Sequence, residues 1–234
     1  MLRAVLILIL ALTASTASAV PVGIDDFEDG TTEGWHVGDP DAHPAPPVNV
    51  PTGGPAGAGD AYLQLTALGG FGAGSRLSVL NLSQWTGDFT GVPAIGMDVN
   101  NFGPEELVLR LLFVNFPDEP GPPTDVAWTL APVTVAPGSG WNDVLFSLSA
   151  ANLFAPFGSV VGALGDVDEL RLFHNPAPAF GGPTIGAPPV VATLGIDNIG
   201  IVEDVTAVPE PSSMLLMLAG LGAGARKMFR AKRQ

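Results

Sequence analysis

Leu107-Val108-Leu109-Arg110-Leu111-Leu112-Phe113-Val114 reads as a strand buried on both sides. Leu107, Leu109, Leu111 and Phe113 share one face at a period of two, while Val108, Arg110, Leu112 and Val114 share the other, so the segment belongs inside a sheet rather than at its edge. Other segments keep that period with one wet face. Tyr62-Leu63-Gln64-Leu65-Thr66 sends Leu63 and Leu65 inward, and Ile95, Met97 and Val99 alternate with Gly96, Asp98 and Asn100. Ile24 to Phe27, Leu77 to Leu80, Val126 to Leu130, Asn142 to Leu148, Leu170 to His174 and Leu194 to Val202 complete about nine strands.

The chain of 234 residues holds 30 Gly and 23 Pro, a composition that excludes a helical bundle or coiled coil. The breakers crowd between the strands, at 38–59, 117–123 and 176–189. Short strands so punctuated predict an all-β chain, an antiparallel β-sandwich of jelly-roll type. Only Ser149 to Phe154 reads as a helical turn, and no repeat of solenoid or propeller spacing occurs, which predicts one domain over residues 20–207.

Both ends are addresses. Arg3, the apolar run Ala4 to Leu12 and the small residues Ala17-Ser18-Ala19 make residues 1–19 a signal peptide, a helix handled by the Sec translocon and cut by signal peptidase before Val20. At the other end, Val208-Pro209-Glu210-Pro211-Ser212-Ser213 precedes an apolar stretch from Met214 to Ala225 and the cations Arg226, Lys227, Arg230, Lys232 and Arg233. The residues from Ser212 to Ala225 reach only about 21 Å as a helix, against roughly 30 Å of hydrocarbon, so this short transmembrane helix spans only if it runs on through Met228 and Phe229. The basic tail then stays in the cytoplasm and the acidic domain outside. Residues 208–234 resemble the PEP-CTERM sorting signal of Gram-negative bacteria. That resemblance implies transient anchoring in the inner membrane, removal of the tail by an exosortase, and delivery to the cell surface or to exopolysaccharide and biofilm.

Between Val20 and Val208 the acids number 22 and the bases are Arg76, Arg110 and Arg171, a formal charge of −19 by difference. Nucleic acid is excluded as a partner, since phosphate binding requires a basic surface. The absence of cysteine removes disulfides, thiolate zinc sites and a cysteine nucleophile.

Asp25-Asp26-Phe27-Glu28-Asp29-Gly30 opens the mature chain and Ile196-Asp197-Asn198-Ile199 closes it. First and last strands are often neighbours in a jelly roll, which would bring these carboxylates together. Clustered carboxylates repel or hold a cation, and calcium takes such hard oxygen donors. The EF-hand spacing fails, because Phe27 and His36 fall where ligands are required. Asp26 to Gly30 with Gly34-Trp35, then Gly59-Asp60-Ala61-Tyr62-Leu63-Gln64-Leu65, then Ile196 to Ile199 resemble galactose-binding-like β-sandwiches found among carbohydrate-binding modules. The resemblance implies a structural calcium held by Glu28 and Asp197, with Asp60 as a third ligand. The alternative makes Asp25, Asp29 and Asn198 turn residues bonding their own backbone, and the acids a solubilising surface.

Sugar binding requires flat aromatic faces beside amides and carboxylates. Trp85, in Gln84-Trp85-Thr86-Gly87-Asp88, and Trp128, after an acidic Pro-rich loop, are the carbohydrate-binding candidates, with a half-buried loop anchor as the competing role for Trp85. Trp35 and Trp141 start strands at positions the resembling modules usually bury. His36, His43 and His174 form no zinc pattern, and His174 beside Asn175 reads as a core histidine. Gly69 to Gly74 reads as a flexible turn, and the sequon Asn81-Leu82-Ser83 as chance. No nucleophile motif occurs, and among so many acids nothing selects a glycosidase pair. The expectation is a non-enzymatic, exported matrix or surface protein. The rivals are a specific carbohydrate-binding module and a secreted glycan-cleaving enzyme.

Overall fold

A computed structural model describes residues 23–38, 43–116, 121–178 and 188–203. The expected signal peptide, the Pro-Glu-Pro motif, the transmembrane helix and the basic tail all lie outside these residues. Among the described residues no helix is long and apolar enough to cross a membrane.

The described chain is an antiparallel β-sandwich. Its strands are β1 (Ile24–Asp25), β2 (Trp35–His36), β3 (Val48–Val50), β4 (Tyr62–Leu68), β5 (Ser78–Asn81), β6 (Ala94–Asn101), β7 (Leu107–Asn115), β8 (Asp125–Thr129), β9 (Val133–Val135), β10 (Asn142–Ser147), β11 (Leu153–Phe157), β12 (Glu169–His174) and β13 (Val191–Val202). Sheet one runs β10-β6-β13-β4-β3, with β1 also on β13; sheet two runs β11-β8-β7-β12-β5-β2, with β9 on β7. From β4 to β7 the chain changes sheet at each step, the alternation that a jelly roll requires.

The period-two pattern sets the faces. Leu63, Ile196 and Val99 stand in register across sheet one, all fully buried, against Leu107, Leu109, Leu111 and Phe113 of β7. β7 lies inside its sheet, as its two apolar faces demand. Its second face carries a smaller cluster of Leu112, Val114, Val126, Trp128 and Phe173. Arg110, 2% exposed on that face, donates to the carbonyls of Asn175 and Thr129, each at 2.9 Å, and also to those of Leu130 and Pro176. A guanidinium that serves four carbonyls can be buried without an acid partner.

The first and last strands meet: Ile24 pairs with Gly200 and Asp25 with Ile199. The β13–β6 register shifts between Asp197 and Gly200, where Asn198 adopts φ +50°. β2, β3, β9 and β11 were not expected, being too short or too irregular to show a period. The expected turn at Ser149–Phe154 is a single 3-10 turn, Ala150–Asn152, that runs directly into β11. A helix at Val160–Gly165, started by the Ser159 hydroxyl accepting from Gly162 N–H at 2.9 Å, was also not expected because two of its six residues are glycine.

Candidate functional sites

β13 pairs with both β1 and β4, which places Asp197 near Asp60, while Glu28 reaches the start of β4 at Ala61. Asp197 is 1% exposed, and the bulge turns its Oδ1 to accept from Asn198 N–H at 2.7 Å. Burial first, then the charges of Asp60, Asp98 and Asp26, raises its pKa to about 7. Glu28 Oε1 accepts from Ala61 N–H at 2.7 Å, and Asp60 Oδ2 from Ala56 N–H at 2.6 Å. Among the described residues no three carboxylate or imidazole groups converge as ligands of one ion. The donor chemistry suits calcium, since Glu28 and Asp60 each keep a second carboxylate oxygen beyond the one that accepts the amide.

A second buried carboxylate explains why Trp85 offers nothing to a sugar. Asp25 Oδ2 accepts from the indole N–H groups of Trp35, at 2.6 Å, and Trp85, at 2.7 Å, while Oδ1 accepts from Gln84 Nε2 at 2.7 Å. Trp85 is 2% exposed in the main core, so the expectation of a loop platform is corrected. Asp25 is likewise no turn residue; it anchors strand ends. Trp128 is 6% exposed, sits in the smaller cluster against Phe154, and donates from Nε1 to Pro178 O at 3.2 Å. It too lacks a free face. Glu33, next to Asp25, has a carboxyl oxygen, Oε2, that is buried without a partner, and burial followed by the Asp25 charge raises its pKa to about 7.

His174 is a core histidine, as expected: its Nδ1 accepts from Val108 N–H at 2.9 Å, and burial lowers its pKa. Asn81 is fully buried and donates to Glu33 O, so the sequon is inaccessible in the folded chain.

Sequence reasoning missed the exposed aromatic site. Tyr62, Phe102 and Trp141 pack on the outer face of sheet one, with Trp141 edge-on to Tyr62 at 5.3 Å and to Phe102 at 6.1 Å between ring centres. Trp141 is half-buried, held by Nε1 donating to Gly53 O at 2.9 Å, and Phe102 is 47% exposed. Gly195 makes room beneath them. A Cβ there would lie 2.8 Å from Trp141 Cη2 and 2.9 Å from Phe102 Cε2. Gly195 pairs with Gln64 on one side and Asn100 on the other, and the Asp143–Asp98 pair lies further along the sheet. The signal available in sequence was Gly195 flanked by bulky residues in an otherwise strong strand pattern, which marks a close approach. The expectation that Trp141 is core gives way to a ring buried on one side.

Residues 207–233 match the PEP-CTERM protein-sorting motif. No curated protein matches the chain. Among solved structures, an exo-β-agarase is similar in fold, with TM-score 0.51 and 14% identity over 77% of this chain and 25% of the other, so the chain spans about a quarter of that enzyme's length. The family 11 carbohydrate-binding module from Clostridium thermocellum, in complex with a β-1,3-1,4-mixed-linked tetrasaccharide, gives 0.46 at 15% identity over 78% and 99% of the two chains. The CBM22-1 xylan-binding domain from Paenibacillus barcinonensis gives 0.42 at 16% over 82% and 100%. The chain thus carries a PEP-CTERM protein-sorting motif, and its sandwich shares the fold of part of the exo-β-agarase.

Proposed function

We propose that the protein is exported, trimmed by an exosortase and delivered outside the inner membrane, where its sandwich binds polysaccharide through the face built around Trp141. The observation that carries the binding role is the pair of solvent-facing rings, Phe102 and Trp141, packed on the buried Tyr62 over Gly195, beside Gln64. A pyranose presents an apolar face to a ring and hydroxyls to amides, and aromatic packing contributes about 0.5–1.5 kcal/mol beyond area burial. Affinity electrophoresis against a panel of neutral and acidic polysaccharides tests it. Trp141→Ala should cut binding at least tenfold, as should Phe102→Ser, which removes an exposed ring with no hydrogen-bonding duty. Unchanged binding in both variants excludes this face. The delivery step has its own readout: cells lacking the exosortase should retain the full-length chain in the inner membrane, and a released mature product from those cells would overturn it.

A calcium ion held by Asp197, Asp60 and Glu28 is the second part of the proposal, supported by a buried carboxylate pressed by three others. An ion bound only by the folded state stabilises it by mass action. Millimolar calcium should raise the melting temperature of the wild type and leave Asp197→Asn unmoved; no shift in the wild type removes the metal.

A further inference from the structure

We propose that the ring face of sheet one takes a polysaccharide whose hexoses carry free amino groups, held as ammonium ions by Asp98 and Asp143 beside the rings. The proposal rests on the polysaccharide-binding reading of that face and names the chemical class of its ligand. Register places the two carboxylates. Asp143 stands opposite Asp98, and Asp98 stands opposite Asp197, so three acids form one row across β10, β6 and β13. The next row carries Asn100 opposite Gly195, the glycine beneath Trp141 and Phe102. Rows two residues apart on one face lie about 7 Å from each other, so a sugar stacked on Trp141 reaches the acids with its substituents.

Asp143 is exposed and Asp98 half-buried, while Asp197, 1% exposed, backs the row and is not itself a contact. Asp98 Oδ2 accepts from Asn198 Nδ2 at 2.9 Å. A carboxylate accepts several donors, so this bond steadies the group and leaves room for a ligand's N–H. Like charges directly opposite each other in an antiparallel pair, with Cβ atoms about 4.5–5.5 Å apart, destabilise the sheet. Sheet one supplies no cation to offset them. Its described strands contain neither Lys nor Arg, and the three arginines between Val20 and Val208 belong with sheet two: Arg110 in β7, Arg171 in β12 and Arg76 just before β5.

A bound ammonium removes that repulsion. It donates charge-assisted N–H bonds to the carboxylates, and the faces of Trp141 and Phe102 present the negative side of the ring quadrupole, which attracts the same cation. An N-acetylated hexosamine offers an amide in place of the charge and forfeits both gains. An acidic glycan is repelled by the row. The rings therefore bind the apolar face of a hexose, and the two aspartates select its substituent among sugars that stack equally well.

Isothermal titration at about pH 6, where the amines are charged, compares the hexamers of β-1,4-linked glucosamine and N-acetylglucosamine with hexalysine. The glucosamine hexamer should bind about tenfold more tightly than its N-acetylated form, and Asp98→Asn combined with Asp143→Asn should erase that preference while leaving the N-acetylated hexamer unchanged. Both substitutions keep the side-chain volume and remove the repulsion, so the melting temperature should not fall. Equal affinity for the two hexamers, or a preference that survives the double substitution, overturns the amine assignment. Hexalysine bound as tightly as the glucosamine hexamer, through the same two aspartates, overturns the saccharide in favour of a basic peptide. If neither hexamer binds while a polysaccharide of the neutral or acidic panel still depends on Trp141, the proposal fails and the ring face stands. Glucosamine binding that needs the aspartates but not Trp141 overturns the ring face and this proposal together.

Discussion

At the scale of single residues, two carboxyls carry the electrostatic signature of the domain. Asp197 and Glu33 both have pKa values raised to about 7, from 3.8 and 4.5, chiefly because burial disfavours their charged forms. A raised folded-state pKa means that the native state binds the proton more tightly than the unfolded chain does. The stability this contributes is fully present below about pH 4 and is lost as pH rises through 7. The melts that test for calcium, repeated across pH without it, should therefore show the melting temperature falling between about pH 4 and 7. Asp197→Asn should flatten that fall, because the amide keeps an acceptor for Asn198 N–H without a charge. A slope unchanged in Asp197→Asn would show that this carboxyl ionises no differently when folded.

At the scale of elements, β7 shows how an outward cation can stabilise a strand. Arg110 ties β7 to the chain leaving β8 and to the chain leaving β12, through the buried bonds to Thr129 and Asn175 and the part-buried ones to Leu130 and Pro176. Arg110→Met keeps most of the volume and removes every donor, which should cost about 3 kcal/mol. Urea unfolding should show a lower midpoint at an unchanged slope. A loss under about 1 kcal/mol would mean that water replaces the guanidinium. The long strands were legible because β4, β6, β7 and β13 each repeat their inward residues three or more times. β2 and β3 have two and three residues, too few to display a period, and exist because β5 and β4 offer them an edge.

At the scale of the molecule, the tail at 207–233 was readable because a sorting signal is recognised as linear sequence, whatever the domain before it folds into. The candidate sites were readable only in part. Asp26 comes near Asp197 through the expected meeting of first and last strands, whereas Asp60 reaches it because β4 pairs with β13, Leu63 opposite Ile196. The tryptophans were misassigned for a physical reason: exposure of an indole depends on what arrives from distant positions. Trp85 lies in a polar stretch yet is drawn inside by Asp25, 60 residues away. Trp141 starts a strand yet stays at the surface, propped on Gly195 and bonded to Gly53, 88 residues away.

Strand period, net charge, the absence of thiols and the C-terminal sorting motif are properties of neighbouring residues or of simple counts, and the sequence by itself determined them. Which ring faces solvent and which carboxyl titrates high were decided only by the tertiary structure. Each of these follows from contacts between segments far apart along the chain, and burial, which sets both pKa and exposure, belongs to the packed sheets and not to any stretch of sequence.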